Sequence, residues 1–222
     1  MPKSAVIETY QYLTGSRGKR GGAGNAAVGR QVRETIIPRR MREAFIAHAR
    51  LVVDHGLTAG TLTEMSQRLD EALFIITAPG SWAATFGEDD LRIGAIHEQK
   101  SLAQEEMPRH AQWHRLIYGA GVADAVLLSQ PPAALTAAAL RLVPAPELLV
   151  DAAADIGSLA VFEIVDPAIL PSDDELVGRH ALLLPGYGLL SWGDDLSQAI
   201  ARAEMVNRWC DIMLRSCKFN ER

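Results

Sequence analysis

The chain has 222 residues, 48% of them hydrophobic and 22% charged, with a formal net charge of −5. That length and balance describe one globular domain with a short appendage, able to bury a substantial core. No run of about 18 apolar residues occurs, so no membrane span is expected, and the opening MPKSAVIETYQYL lacks the basic-then-apolar pattern of a secretion signal. The two cysteines, Cys210 and Cys217, fall on one predicted helix. Two turns, roughly 10 Å, separate them, too far to bridge within that helix, and a reducing cytoplasm is the expected compartment.

Charge is uneven along the chain. Residues 1–42 carry nine Lys or Arg against two Glu, a balance of +7 that leaves −12 for the rest. With no aromatic interleaving and no recognisable nucleic-acid module, nucleic-acid binding is disfavoured. The expectation is an arm that packs on the acidic body of its own or a neighbouring subunit. Residues 4–13 read as a short helix. Gly15 to Gly24, GSRGKRGGAG, reads as a linker; no strand precedes it and no Gly-Lys-Ser/Thr follows, so it is not a phosphate loop. The chain divides into an arm, 1–35, and a domain, 36–222.

The domain alternates helices and strands. Pro38 suits a first helical turn, and Met41, Phe45, Ala49, Val52 and Val53 mark one buried face up to Gly56. GLTAGTLTEMSQRL (Gly56 to Leu69) follows, then a strand at Leu73 to Thr77 and a turn at Ala78-Pro79-Gly80. A strand is read at Asp90 to Ile93, a helix at Glu105 to Ala120, and a strand at Asp124 to Gln130 running into Pro131-Pro132. A short helix at Leu135 to Leu140, a strand at Leu159 to Val165 and a helix start at Pro171 to Asp174 come next. His180 onward reads as strand (Ala181 to Leu184), tight turn (Pro185-Gly186-Tyr187-Gly188), strand (Leu189 to Trp192) and helix. The stripe Leu196, Ile200, Ala203, Val206, Trp209, Cys210 and Met213 defines that last helix's packed side.

Order and spacing resemble the class II aldolase/adducin family. Members run helix, Gly-Leu-Thr-x-Gly-Thr-x-Gly-Asn-Leu-Ser-x-Arg, strand, Ile-Thr-Pro-x-Gly. This chain keeps Gly60, Thr61, Ser66, Arg68, Ile76, Thr77 and Gly80 in register. The likeness extends over roughly residues 36–215. It implies a three-layer α/β/α domain with a central, mostly antiparallel sheet. It also implies a homo-oligomer, a tetramer being favoured, with a small-molecule ligand held between subunits.

The family's chemistry rests on a divalent metal, usually zinc, that polarises a carbonyl or stabilises an enediolate. Its ligands come from a His-Thr-His strand end and an Asn-His-Gly turn. The resemblance places these on Leu128-Ser129-Gln130 and on Tyr187. An aliphatic side chain cannot ligate, and an amide or neutral phenol substitutes poorly, so no metal and no other cofactor is expected. The family's acid/base Glu, four residues before a His, corresponds to His110 ahead of His114. An imidazole there can still move protons near neutral pH. His110 and His114, spaced i and i+4 with Glu106 on the same face, could also hold a relocated metal, although the family pattern packs the later His on the sheet. The family's phosphate contacts fall on Thr63-Glu64, on Pro79-Gly80 after Thr77, and on Pro108-Arg109. A carboxylate would repel a phosphate dianion and Pro offers no amide donor. Arg109 offers a fork for an anion.

Two functions follow. One is a metal-independent lyase, decarboxylase or isomerase of a small carbonyl or carboxylated compound. His110 and Tyr187 would be catalytic; Arg109, Gln130, Thr63, Glu64, Thr77 and Gly80 would contact substrate, with Leu128, Trp82, Trp113 and Trp192 available as apolar lining. The other is a non-catalytic binding or assembly module like the adducin branch.

Overall fold

The computed structural model describes residues 23–97, 105–164 and 171–217. The expected 4–13 helix and most of the Gly-rich segment lie outside these residues. Helix α1 (Ala23–Ile36) and α2 (Arg39–Asp54) lead into β1 (Glu64–Arg68), β2 (Leu73–Thr77) and β3 (Leu91–Ala95). Helix α3 (Ala111–Gly119), β4 (Ala125–Ser129), α4 (Pro132–Leu140), α5 (Val150–Ile156) and β5 (Ala160–Val161) follow. Helix α6 (Asp173–Leu176), β6 (Ala181–Leu184), β7 (Gly188–Gly193) and α7 (Leu196–Cys217) complete the described chain.

The strands form one seven-stranded sheet in the order β3-β2-β1-β4-β7-β6-β5. Every pairing is antiparallel except β5 with β6. Side chains alternate across a strand, and the sheet buries both faces. Met65, Ile75, Leu127, Leu183 and Leu189 pack against α2, α4, α5 and α7 through Phe45, Val52, Ala137, Ile156, Val206 and Trp209. Phe74, Ile76, Val126, Leu128, Leu190 and Trp192 pack on the other side against α3 and α6 through Trp113, Ile117, Tyr118 and Leu176. The three-layer α/β/α expectation is met.

Several boundaries differ from the sequence reading. The helix expected over 105–120 begins only at Ala111. Pro108 explains this, because it forces Met107 toward extended backbone and removes an amide. His110 is therefore the residue that caps α3 rather than a member of it. The strand expected over 159–165 is the two-residue β5, Val165 itself lying outside the described residues. Strand β1 and helix α5 escape the sequence reading altogether. The helix start at 172 holds: Ser172 and Glu175 form a reciprocal capping box on α6.

The basic end of α1 and the first turn of α2 dock on acidic loops of the same chain. Arg33, 5% exposed, pairs with Glu105 at 2.7 Å and Asp89 at 3.4 Å, and Arg42 pairs with Glu88 at 3.0 Å. Val32 on α1 and Ile37 just after it enter the core, so apolar burial rather than charge alone seats this segment.

The β6–β7 hairpin packs tightly against the end of β4. Gly188 has φ +125, and a Cβ there would lie 2.1 Å from the Ser129 carbonyl oxygen. Backbone contact at this point brings Tyr187 beside Gln130. Gly188→Ala combines an overlap with a left-handed backbone, so it should cost at least about 2 kcal/mol, measured as a lowered urea midpoint with unchanged slope.

Candidate active site

One end of the sheet gathers the start of β1, the end of β4, the β6–β7 turn and the N-terminus of α3. Glu64 opens β1 and lies in register with Leu128 on β4. Its carboxylate is almost buried at 8% exposure. The Oε1 atom accepts from His110 Nδ1 at 2.8 Å and from the His110 backbone amide at 3.3 Å. The Oε2 atom faces His114 Nε2 at 3.8 Å. A carboxylate removed from water needs donors or a cation, and the head of α3 supplies both an N–H and an imidazole.

The donors have a definite direction. A carboxylate oxygen accepts, so the 2.8 Å contact assigns the His110 ring proton to Nδ1 and leaves Nε2 unbonded. That Nε2 is buried and has no hydrogen-bond partner among the described residues, like Glu64 Oε2 and His114 Nε2. The imidazole stacks on Trp113 with centroids 4.5 Å apart, and the Tyr187 ring meets both edge-on at 5.4 and 5.1 Å.

His114 lies wholly inside, on α3. Its Nδ1 is 2.6 Å from Ser66 Oγ, which is 2.5 Å from the Tyr118 hydroxyl. Burial, with smaller contributions from His110 and Arg115, pushes its pKa down to about 3, so it stays neutral. Burial likewise raises the Tyr118 phenol and keeps it protonated.

The remaining expected residues divide. Gln130 is buried; its Oε1 accepts from Thr63 Oγ1 at 3.1 Å, and its Nε2 donates to the carbonyls of Leu62 at 3.1 Å and Tyr187 at 3.4 Å. The amide thus ties three loops together. Tyr187 is half-buried, and its hydroxyl has no protein partner among the described residues, while Arg109 is exposed beside His110. Thr77 accepts the Met65 amide at 3.2 Å, and alternation turns it to the sheet face opposite Glu64. Gly80 forms an exposed turn with φ +69. Neither joins the His110 cluster. Trp113 and Trp192 are buried and Trp82 is 50% exposed. Glu106, off the helix, is exposed and shares no face with the histidines.

The positions that the resemblance assigns to metal present poor donors. Leu128 offers no ligand atom, and Gln130's oxygen is already occupied by Thr63. Among the described residues no group of three or more His, Cys, Asp or Glu is arranged to hold a metal ion. Sequence reasoning named Glu64, His110 and His114 separately but missed that they meet. The available signal was two charge-capable residues, Glu64 and His110, at positions that the family pattern brings to one cleft.

His114 makes stability acid-sensitive. Its folded pKa lies below the unfolded value near 6.5, so the unfolded chain binds the extra proton between roughly pH 6.5 and 3. Stability therefore falls as pH falls through that window, by about 1.4 kcal/mol per unit from this group. Chemical denaturation from pH 7 to 4 should show that slope, and His114→Asn should flatten it.

Comparison with known proteins agrees with this architecture. No curated protein matches the sequence. An L-fuculose 1-phosphate aldolase superposes with a TM-score of 0.70 at 21% identity, covering 84% of this chain and 90% of that one. The L-fuculose-1-phosphate aldolase from Thermus thermophilus gives 0.70 at 20% identity, over 82% and 98%. YgbL of Escherichia coli, described as a putative aldolase/epimerase/decarboxylase, gives 0.69 at 16% identity, over 79% and 88%. At such identities the likeness shows the fold. Residues 43–214 match the Class II Aldolase and Adducin N-terminal domain, and the chain belongs to that family.

Proposed function

We propose that the chain is a lyase-type enzyme, acting as an aldolase, decarboxylase or isomerase on a small carbonyl or carboxylated compound without the family's zinc. The observation that carries this reading is the His110–Glu64 pair: a carboxylate orients an imidazole through Nδ1 and leaves Nε2 to take or return a proton. Tyr187, whose hydroxyl is free of protein partners among the described residues, is placed to donate to oxygen as negative charge develops on the substrate. Gln130 supports the Tyr187 loop and Thr63 from behind. Arg109 sits at the rim, where it can hold an anionic end of the substrate.

The donor set does not fit zinc, because Leu128 is aliphatic and Gln130's amide is engaged. Carbanion character at the substrate must then be met by hydrogen bonds and proton transfer alone. Glu64 also disfavours a phosphate in the cleft, since a buried carboxylate repels a dianion. The reaction classes in the reading are those of relatives with this fold, one of them described as a putative aldolase/epimerase/decarboxylase.

The cleft is proposed to be completed by a second copy of the chain. Leu62 and Trp82, 61% and 50% exposed, flank β1 and β2 at the same sheet end as Glu64, and large exposed apolar side chains mark contact surfaces. Light scattering on purified protein should report a homo-oligomer, a tetramer being favoured; a monomer at micromolar concentration would contradict this.

Turnover is tested with a panel of small hydroxy, keto and carboxylated compounds. His110→Ala should lower kcat by about 10²–10⁴-fold, and Glu64→Gln by at least about tenfold through loss of imidazole orientation. Chelator should leave the rate unchanged. Ligand binding without turnover, indifferent to His110→Ala, would instead support a non-catalytic binding module.

A further inference from the structure

Behind the His110–Glu64 pair stands a second line of polar groups that the proposed chemistry does not itself use. Tyr118, Ser66 and His114 are all buried, at 2%, 0% and 0% exposure. They run in one hydrogen-bonded row from α3 through β1 and back to α3, ending 3.8 Å from Glu64 Oε2. Polar groups set this deep in a core cost stability unless their bonds are satisfied, and two geometries could satisfy these.

In one, His114 carries its proton on Nδ1 and donates to Ser66, which donates to Tyr118. The phenol proton is then left without an acceptor, and the bare Nε2 lone pair faces the Glu64 oxygen. In the other, Tyr118 donates to Ser66, Ser66 donates to His114 Nδ1, and His114 presents an Nε2–H toward Glu64 Oε2. Only this second arrangement gives the phenol and hydroxyl protons acceptors and places a positive N–H edge, rather than a lone pair, against the carboxylate 3.8 Å away. The protonated phenol has a hydrogen to start the row, and the neutral imidazole keeps just one nitrogen protonated.

We propose that His114 is a positioning residue, locked by Ser66 and Tyr118 as the neutral Nε2–H tautomer, whose N–H edge attracts Glu64 Oε2 across 3.8 Å and so favours the rotation that aims Oε1 at His110 Nδ1. This rests on the reading of His110 and Glu64 as the acid/base pair, but it is a statement about tautomer and orientation that can be measured without substrate. Glu64 stands on a strand and His110 at a helix start. The row biases the carboxylate's rotation from the interior side of β1.

The test is side-chain nitrogen NMR of the full-length protein with labelled histidine, between pH 5 and 8. His114 should show the neutral Nε2–H pattern throughout, and His110 a protected Nδ1–H resonance. Ser66→Ala and Tyr118→Phe, both close in size to the native residues, should mix the His114 tautomers and broaden or shift the His110 proton. Ser66→Thr should restore the native pattern. Circular dichroism identifies any variant that fails to fold, and the wild-type tautomer decides the matter without variants. An Nδ1–H His114 in the wild type, or a His110 resonance unmoved in both folded variants, would overturn the proposal. Where turnover is found, Ser66→Ala should lower kcat more than it changes KM. If His114 shows the expected tautomer and His110→Ala leaves turnover intact, the acid/base reading fails while the positioning result stands.

Discussion

A carboxylate is held almost out of water between two imidazoles, and the surrounding structure is arranged to make that possible. Glu64 begins a central strand, so its backbone belongs to the sheet ladders with β2 and β4. Its side chain is almost wholly removed from solvent. The α3 N-terminus answers it with a backbone amide, the His110 ring and the dipole of the helix. Breaking either partner leaves a buried polar group uncompensated, which is the costlier side of any buried pair. The late start of α3 is part of the same arrangement. Pro108 keeps residues 105–110 off the helix, and His110 is thereby turned onto β1 instead of lying one turn above His114 on a common face.

The surroundings divide the labour between rigidity and chemistry. Leu128 stands directly across from Glu64 and gives the site an apolar wall. Gln130 joins the Leu62 loop, Thr63 and the β6–β7 turn through the oxygen and the NH2 of its amide. Gly188 lets that turn press on the Ser129 carbonyl and carry Tyr187 against the His110 ring. A chain of the aldolase/adducin family thus retains the scaffold, with Leu128, Gln130 and Tyr187 standing where the resemblance places metal ligands.

Much of the framework was readable from sequence, for physical reasons. The β6–β7 hairpin and α7 carry long apolar patterns with an unambiguous turn between them, and α2 shows a clean helical stripe ended by Gly56. Strand β1 was not readable by pattern. Its residues, Glu-Met-Ser-Gln-Arg, alternate without an apolar face, because Glu64 and Ser66 point to His110, His114 and Tyr118 rather than to hydrocarbon. The least strand-like segment is the one that carries the site. The resemblance supplied its position, yet not the pairing of Glu64 with a residue 46 places away. Thr77 shows the converse: its position follows the family pattern, but strand alternation puts its hydroxyl on the far face.

The central claim is that side chains alone, with the His110–Glu64 pair at their centre, occupy the place of the family's metal. The most direct measurement is crystallographic, with anomalous scattering recorded at the zinc edge from protein purified and crystallised in the presence of zinc. The account predicts no ordered anomalous peak near Leu128, Gln130 and Tyr187, and Glu64 Oε1 within hydrogen-bond distance of His110 Nδ1. A fully occupied metal in that cleft, ligated by Glu64 or either histidine, would contradict it.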